Sequence, residues 1–319
     1  MSEQAAVPGK AANLDVFAQA TESLAASSPD VVVVTSDSRG SGKLTSFGKR
    51  FPERIVETGI AEQNLVGVAA GLASAGKRVF AVSPASFLTA RALEQIKNDV
   101  AYSNFPLVLV GISAGVSYGA LGSTHHSLHD LAALRAINNI DIVVPADAAE
   151  TRAAVRAAAT HARPLYLRLG KKPMPAVHAG DLAFRVGSAV TVREGTDAAF
   201  VATGETVACA VEASDQLRAA GISARVVSMH TVKPLDRQAL LECARTCRAV
   251  ITVEEHSVCG GLGEACAAVL LQAGVACRFR IAALPDEHLV NGSQGELFAR
   301  YGLDAEGLAR TARELLSNS

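Results

Sequence analysis

The 319-residue sequence contains no tryptophan, and aromatic residues make up only 4% of it. Proteins that hold single-stranded nucleic acid stack bases on aromatic rings, so that class is excluded. A surplus of positive charge is also absent: 30 Lys and Arg stand against 31 Asp and Glu, leaving a formal net charge of −1. Without a basic excess or stripe, no binding to a phosphate backbone is expected. No uninterrupted apolar run is long enough to span a bilayer, and the opening MSEQAAVPGK lacks the apolar core of a signal peptide. The expectation is a cytoplasmic chain with neither a nucleic-acid nor a membrane partner. Hydrophobic residues reach 49% and charged residues only 19%, which rules out general disorder.

Cysteine is missing from the first 208 residues. All six (Cys209, Cys243, Cys247, Cys259, Cys266 and Cys277) come later, and their spacing matches neither CxxC nor a zinc pattern. Cys243 and Cys247 lie one helical turn apart in an Ala/Leu-rich segment, so small hydrophobes in a core are expected. A disulfide framework is not expected in a chain of this size without a secretion signal. A Walker A motif is absent as well. GGLGE (260–264) imitates a dinucleotide loop, but Cys266 occupies the third glycine position, so a tight strand-to-helix turn is expected.

What is present is a regular alternation. Short β-branched runs (VVVVTSD, RIVET, RVFAVS, PLVLVGIS, DIVVPA, PLYLRLG) are separated by Ala/Leu-rich stretches with apolar residues three and four apart, such as Leu65, Val68, Ala69 and Leu72. Strand followed by helix, repeated, means a parallel sheet with helices on both faces. The segment 171–184, with two prolines, a glycine and no periodicity, breaks the pattern and suggests a linker. A second series follows (AAFVATG, ARVVSM, AVITVEE, CRFRIAA). The fold class expected is α/β, with two three-layer domains spanning residues 1–178 and 179–319.

In open parallel sheets, ligands bind beyond the carboxyl ends of the strands. The polar, glycine-rich segments of the first domain lie there, and they hold the candidate residues. Glu62 opens a helix three residues before Leu65, on or beside the apolar face. A carboxylate there is either a first-turn residue favoured by the helix dipole or a functional acid. ALGSTHHSLHD (120–130) gathers His125, His126 and His129. HxxxH could bind a metal on a helix face, but no HExxH occurs and the glycines suggest a loop, where an acid/base or substrate-orienting histidine fits as well. Arg168 closes the sixth strand beside Lys171 and Lys172. Its guanidinium could clamp a phosphate or carboxylate, or form part of a solvated basic edge.

Four segments together resemble one family. ETGIAEQNLVGVAAGLASAG resembles the pyrimidine-binding segment of thiamine-diphosphate enzymes, and SFLTARALEQIKNDVAY the following helix in transketolases and deoxyxylulose-phosphate synthases. GSTHHSLHDLAALRAINNIDIVVPAD and VEEHSVCGGLGEA resemble the central and C-terminal parts of transketolase. The match runs nearly the whole chain in order, and it resembles the C-terminal half of a transketolase encoded as two subunits. This resemblance implies a pyrimidine-binding domain followed by a transketolase C-terminal domain, and transfer of a two-carbon ketol unit from a ketose, phosphorylated in the ordinary case, to an aldose.

By the same resemblance Glu62 hydrogen-bonds N1′ of the aminopyrimidine and favours the tautomer that deprotonates the thiazolium carbon. Phe87 stacks on the pyrimidine. Asp37 supports the cofactor, although Ser38 follows it where the family has an apolar residue. His125 orients the donor ketose, Arg168 binds its phosphate, and Ser41 is a weaker candidate beside it. Ser113 stands where many transketolases have a second histidine, Leu121 where an aspartate often contacts a sugar hydroxyl, and His129 replaces a glutamate. Fewer polar partners imply an altered substrate choice. No GDG occurs in the sequence. The Mg²⁺ and diphosphate ligands of a GDG…N stretch are therefore expected on a partner subunit, in an α₂β₂ assembly that shares its active site, with no metal ligand on this chain. The β subunit of a 2-oxo-acid dehydrogenase, a split deoxyxylulose-phosphate synthase, and a non-catalytic assembly or regulatory subunit are the alternatives.

Overall fold

The computed structural model describes residues 9–178 and 182–317. The boundary expected at 178/179 touches residues 179–181, which lie outside the described residues. Two sheets organise the chain. The first has seven strands in the order Thr231–Lys233, Asp141–Val143, Leu165–Arg168, Val108–Ile112, Arg78–Pro84, Val31–Thr35, Ile55–Glu57. All neighbours are parallel except the first pair. The second has five strands in the order Arg278–Leu284, Ala249–Ser257, Ala198–Ala202, Ala224–Ser228, Val190–Arg193, parallel except for the last pair.

The alternating side-chain directions of a strand explain the layers. In Val31–Thr35, Val31 and Val33 join one apolar cluster and Val34 the opposite one. In Ala198–Ala202, residues 198, 200 and 202 face one helix layer, and 199 and 201 the other. Strands buried on both faces read as continuous apolar runs, which is why the sequence exposed them. The helix Glu62–Ser74 buries Leu65, Val66, Ala69, Ala70 and Ala73 on one side, the spacing that 3.6 residues per turn demands. Cys243, Cys247 and Cys266 pack in a core cluster of the second sheet, and Cys259 is exposed. All six cysteines are free.

Two features depart from the sequence reading. Thr231–Lys233 lies in the second half of the chain but pairs antiparallel with Asp141–Val143, so the second half completes the first sheet. Three residues are too few to show a period. The segment around 171–178 is not a free linker either. Pro173–Met174 pairs with Ala11–Ala12. Asp147 caps the helix Ala148–Thr160 through one carboxylate oxygen and accepts the Val177 and His178 amides on the other, at 2.9 and 3.0 Å. Backbone hydrogen bonding to a distant carboxylate leaves no periodic signal in sequence.

Candidate active site

The strand ends of the first sheet converge on a row of side chains in contact. Glu62, the first residue of its helix, is 2% exposed. Its Oε2 accepts a hydrogen bond from Arg91 Nη1 at 2.8 Å. Arg91 belongs to the helix Ala85–Arg91, which follows the strand Arg78–Pro84. One turn earlier on that helix is Phe87, and the Arg91 guanidinium lies 4.8 Å from its ring centroid. Phe87 meets His125 edge-on, with centroids 5.3 Å apart. His125 meets Tyr118 in the same way at 5.2 Å, and Lys171 Nζ stands 5.1 Å from the Tyr118 ring. Thr124 Oγ1 lies 2.9 Å from His125 Nδ1 and fixes one side of the imidazole. Beside Glu62 opens a cavity of about 560 Å³ lined by Ile60, Ala61, Gln63, Asn64 and Arg91.

The chemistry follows from burial. Glu62 is nearly sealed yet borders a cavity, and its charged partner Arg91 is half exposed. Such a carboxylate can turn from Arg91 to a polar ligand edge. Phe87 is half-buried and offers a ring face to a flat ligand. Burial raises the Tyr118 phenol above its ordinary range, against a smaller opposing effect of the Ser113 hydroxyl, so Tyr118 stays a neutral donor at physiological pH.

Of the expected site residues, the structure joins Glu62, Phe87 and His125. Asp37 lies at the neighbouring strand end, exposed and in a left-handed conformation (φ 52°), with its amide bonded to the Glu57 carboxylate. Glu57 also accepts the Gly59 amide, which ties Asp37 to the turn leading into Glu62. Ser41 is exposed on the same loop, and its hydroxyl donates to the Ser38 carbonyl at 3.2 Å.

Two of the expected residues lie deeper than the row. Arg168 is held in an ion pair behind it. It is 5% exposed, its Nε donates to Asp130 Oδ2 at 2.8 Å, and its Nη2 donates to the Ser127 and Glu255 carbonyls. Burial opposes its charge, but the Asp130 carboxylate more than compensates and raises its pKa. Ser113 is likewise sealed: it is 1% exposed and left-handed at φ 52°.

Two residues, Arg91 and Tyr118, escaped sequence reasoning, and Lys171 entered it only as part of a basic strand edge. A signal existed for the first, since Arg91 follows Phe87 by four residues on a helix and shares its face. Tyr118 and Lys171 come from different strand ends, and only tertiary structure brings them together. The two histidines of HxxxH turn to different partners. His125 turns to Thr124 and Phe87, whereas His129 Nε2 lies 3.2 Å from Thr89 Oγ1. Among the described residues, no group of three or more His, Cys, Asp or Glu is arranged to hold a metal ion. At GGLGE the Leu262 and Gly263 amides both donate to the buried Glu254 carboxylate at 2.7 Å, which takes the donors a pyrophosphate would need.

Comparison with known proteins follows this geometry. Residues 10–176 match the transketolase pyrimidine-binding domain, and residues 187–308 the transketolase C-terminal domain. A subunit of the apulose-4-phosphate transketolase of Phocaeicola vulgatus is 47% identical over 92% of this chain and 94% of its own length. A 6-deoxy-6-sulfo-D-fructose transketolase subunit of a Clostridium species is 35% identical, over 89% of this chain and 88% of its own. Among solved structures, a split-gene transketolase in an inactive β4 tetramer superimposes with a TM-score of 0.86 at 39% identity, covering 97% of this chain and 99% of that one. With both domains matched and near full-length agreement with separately encoded subunits, the chain belongs to the transketolase family of transferases.

Proposed function

We propose that this chain is the pyrimidine-side subunit of a two-chain transketolase that moves a two-carbon ketol unit from a ketose to an aldose. The observation that carries this reading is the contact row Glu62–Arg91–Phe87–His125 beside an open cavity at the strand ends. A nearly sealed carboxylate and an adjacent half-buried ring fit the polar edge and the flat face of an aminopyrimidine. Thiamine diphosphate, when bound, supplies the electron sink for cleaving the ketose carbon–carbon bond. Glu62 would hydrogen-bond the ring nitrogen N1′ in place of Arg91, Phe87 would hold the ring plane, and Asp37 would support the cofactor from the neighbouring strand end. His125, tethered at Nδ1 by Thr124, would offer Nε2 to the donor sugar, with Ser41 on the exposed loop as a further contact.

Mg²⁺ and the diphosphate are assigned to a partner subunit carrying a GDG…N stretch, in an α₂β₂ assembly. Two findings support a partner: the relatives are named as subunits, and the β4 tetramer of the split-gene relative is described as inactive. The substrate is assigned as a ketose with an anionic group remote from its carbonyl. Both named relatives act on such sugars, one a phosphate and one a sulfonate. Lys171, poised over Tyr118, takes the anion role expected of Arg168. We place the domain division at 178/179, between the two sheets. Six free cysteines support a reducing, cytoplasmic location. No helix among the described residues is long and apolar enough to cross a membrane.

The test is reconstitution with the partner subunit, thiamine diphosphate and Mg²⁺, assayed on a panel of ketose phosphates. Glu62→Gln is expected to lower turnover about 10³-fold, the range of acid–base catalysis. Near-normal turnover of that variant would refute the role of Glu62. Activity from this chain alone would refute the shared site.

A further inference from the structure

The loop 113–127 carries Ser113, Tyr118 and His125, and the second domain grips it from behind. Gly115 has φ +62°, and the space a Cβ would occupy there is filled by the Glu255 carboxylate. The next amide, Val116, donates to Glu255 Oε1 at 2.7 Å. Gly170, which precedes Lys171, is packed in the same way on the Glu205 carboxylate. Gln294 Nε2 bridges the two acids, 3.0 Å from Glu205 Oε2 and 3.0 Å from Glu255 Oε1. The far end of the loop is closed by the Ser127 amide on the Gly115 carbonyl at 2.8 Å. Arg168 then links the Ser127 carbonyl to the Glu255 carbonyl.

Both glutamates are buried, and Glu205 Oε1 has no hydrogen-bond partner among the described residues. The charged and titratable groups facing the pair are Arg168, Lys172, Asp130 and Cys209. Burial, reinforced by the Glu255 carboxylate, pushes the Glu205 carboxyl well above the usual carboxylate range. Burial also raises the Glu255 carboxyl, against the pull of Arg168 and the Val116 amide. Two like charges sharing one amide donor cannot both ionise cheaply.

We propose that Glu205, Glu255 and Gln294 are positioning residues for the His125 loop: the two carboxylates hold one proton between them, and in that state they fasten the loop so that His125 faces Phe87. Loss of that proton places two charges on one bridging amide. The second domain then loses its seat against Gly115 and Gly170, and the loop loosens. This gives the C-terminal domain a role in substrate binding, and it rests on the reading of His125 as a substrate residue.

Amide hydrogen exchange on the full chain tests the device without any substrate. Between pH 6.5 and 9, corrected for intrinsic base catalysis, protection of residues 113–127 is expected to fall about tenfold, the worth of one hydrogen bond to a charged group. In Glu205→Gln the remaining acid is raised by burial but has no like-charged neighbour across Gln294, so protection should fall clearly less than in wild type over this range. Parallel profiles for wild type and variant would overturn the proposal. If Glu205→Gln does not fold, Gln294→Met serves instead: protection should drop at every pH, and unchanged protection overturns the inference. In the reconstituted complex, KM for xylulose 5-phosphate should rise about tenfold over the same pH range in wild type and clearly less in the variant, with kcat unmoved. Absence of ketol transfer in the wild-type complex would defeat the functional reading, while the exchange result still decides the positioning role.

Discussion

Arg91 and Arg168 make an instructive pair. Each closes a secondary-structure element of the first domain, and each holds a buried carboxylate at 2.8 Å. Arg91 leaves half its side chain in solvent and rests on the Phe87 ring, whereas Arg168 is sealed by Asp130 and two carbonyls. The first guanidinium can release its partner to a ligand at little cost. The second cannot, because a buried carboxylate left unpaired is expensive. The strand-end face is therefore poised to exchange partners, while the interface behind it is fixed. Residue type at a strand end does not separate these cases; burial and the number of satisfied donors do.

The sharpest way to break this comparison is Arg168→Met. Removing one partner of a sealed ion pair should cost about 3–5 kcal/mol and strand Asp130 without a counter-charge. Urea denaturation of the chain measures this, and a variant as stable as wild type would return Arg168 to the open site. An intermediate effect is expected at Asp147, which anchors the segment before the second domain. Burial pushes its carboxyl up, but hydrogen bonds from the His178 ring and from the Glu150 and His178 amides win and hold it at about 2. A carboxyl held below its unfolded value of 3.8 contributes stability that is present above that pH and lost as pH falls toward 2. Asp147→Asn should remove about 1–2 kcal/mol at pH 7 and flatten the acid limb between pH 4 and 2, read by thermal melts. The smallest effect belongs to Arg91→Met. Its guanidinium is half in water, and the cavity beside the nearly sealed Glu62 lets water take its place on the carboxylate, so the loss should be about 1 kcal/mol and the melting temperature should barely move. A large loss of stability there would show that the open row is as rigid as the interface.

Much of this was legible in the sequence. The strand runs and the Leu65–Ala73 helix face announced themselves because strands buried on both faces and one-sided helices impose a period on composition. Glu62 and His125 stood out as residue types placed at strand ends, and Phe87 through the family resemblance. Arg168 shows the limit: its position after a strand was read correctly, but its partner Asp130 lies 38 residues away and gives no local sign. Thr231–Lys233 shows another, since a three-residue strand carries no period and its pairing partner lies in the other half of the chain.

By itself, the sequence determined the two α/β series, the near-zero net charge and the segments that face the strand ends, because each depends on local composition and spacing. Only the tertiary structure decided which charged side chains remain open. Whether Arg91, Lys171, Arg168, Glu205 and Glu255 meet solvent, an aromatic ring or one another depends on how the second sheet docks behind the first, and long-range burial of this kind leaves no periodic trace in the chain.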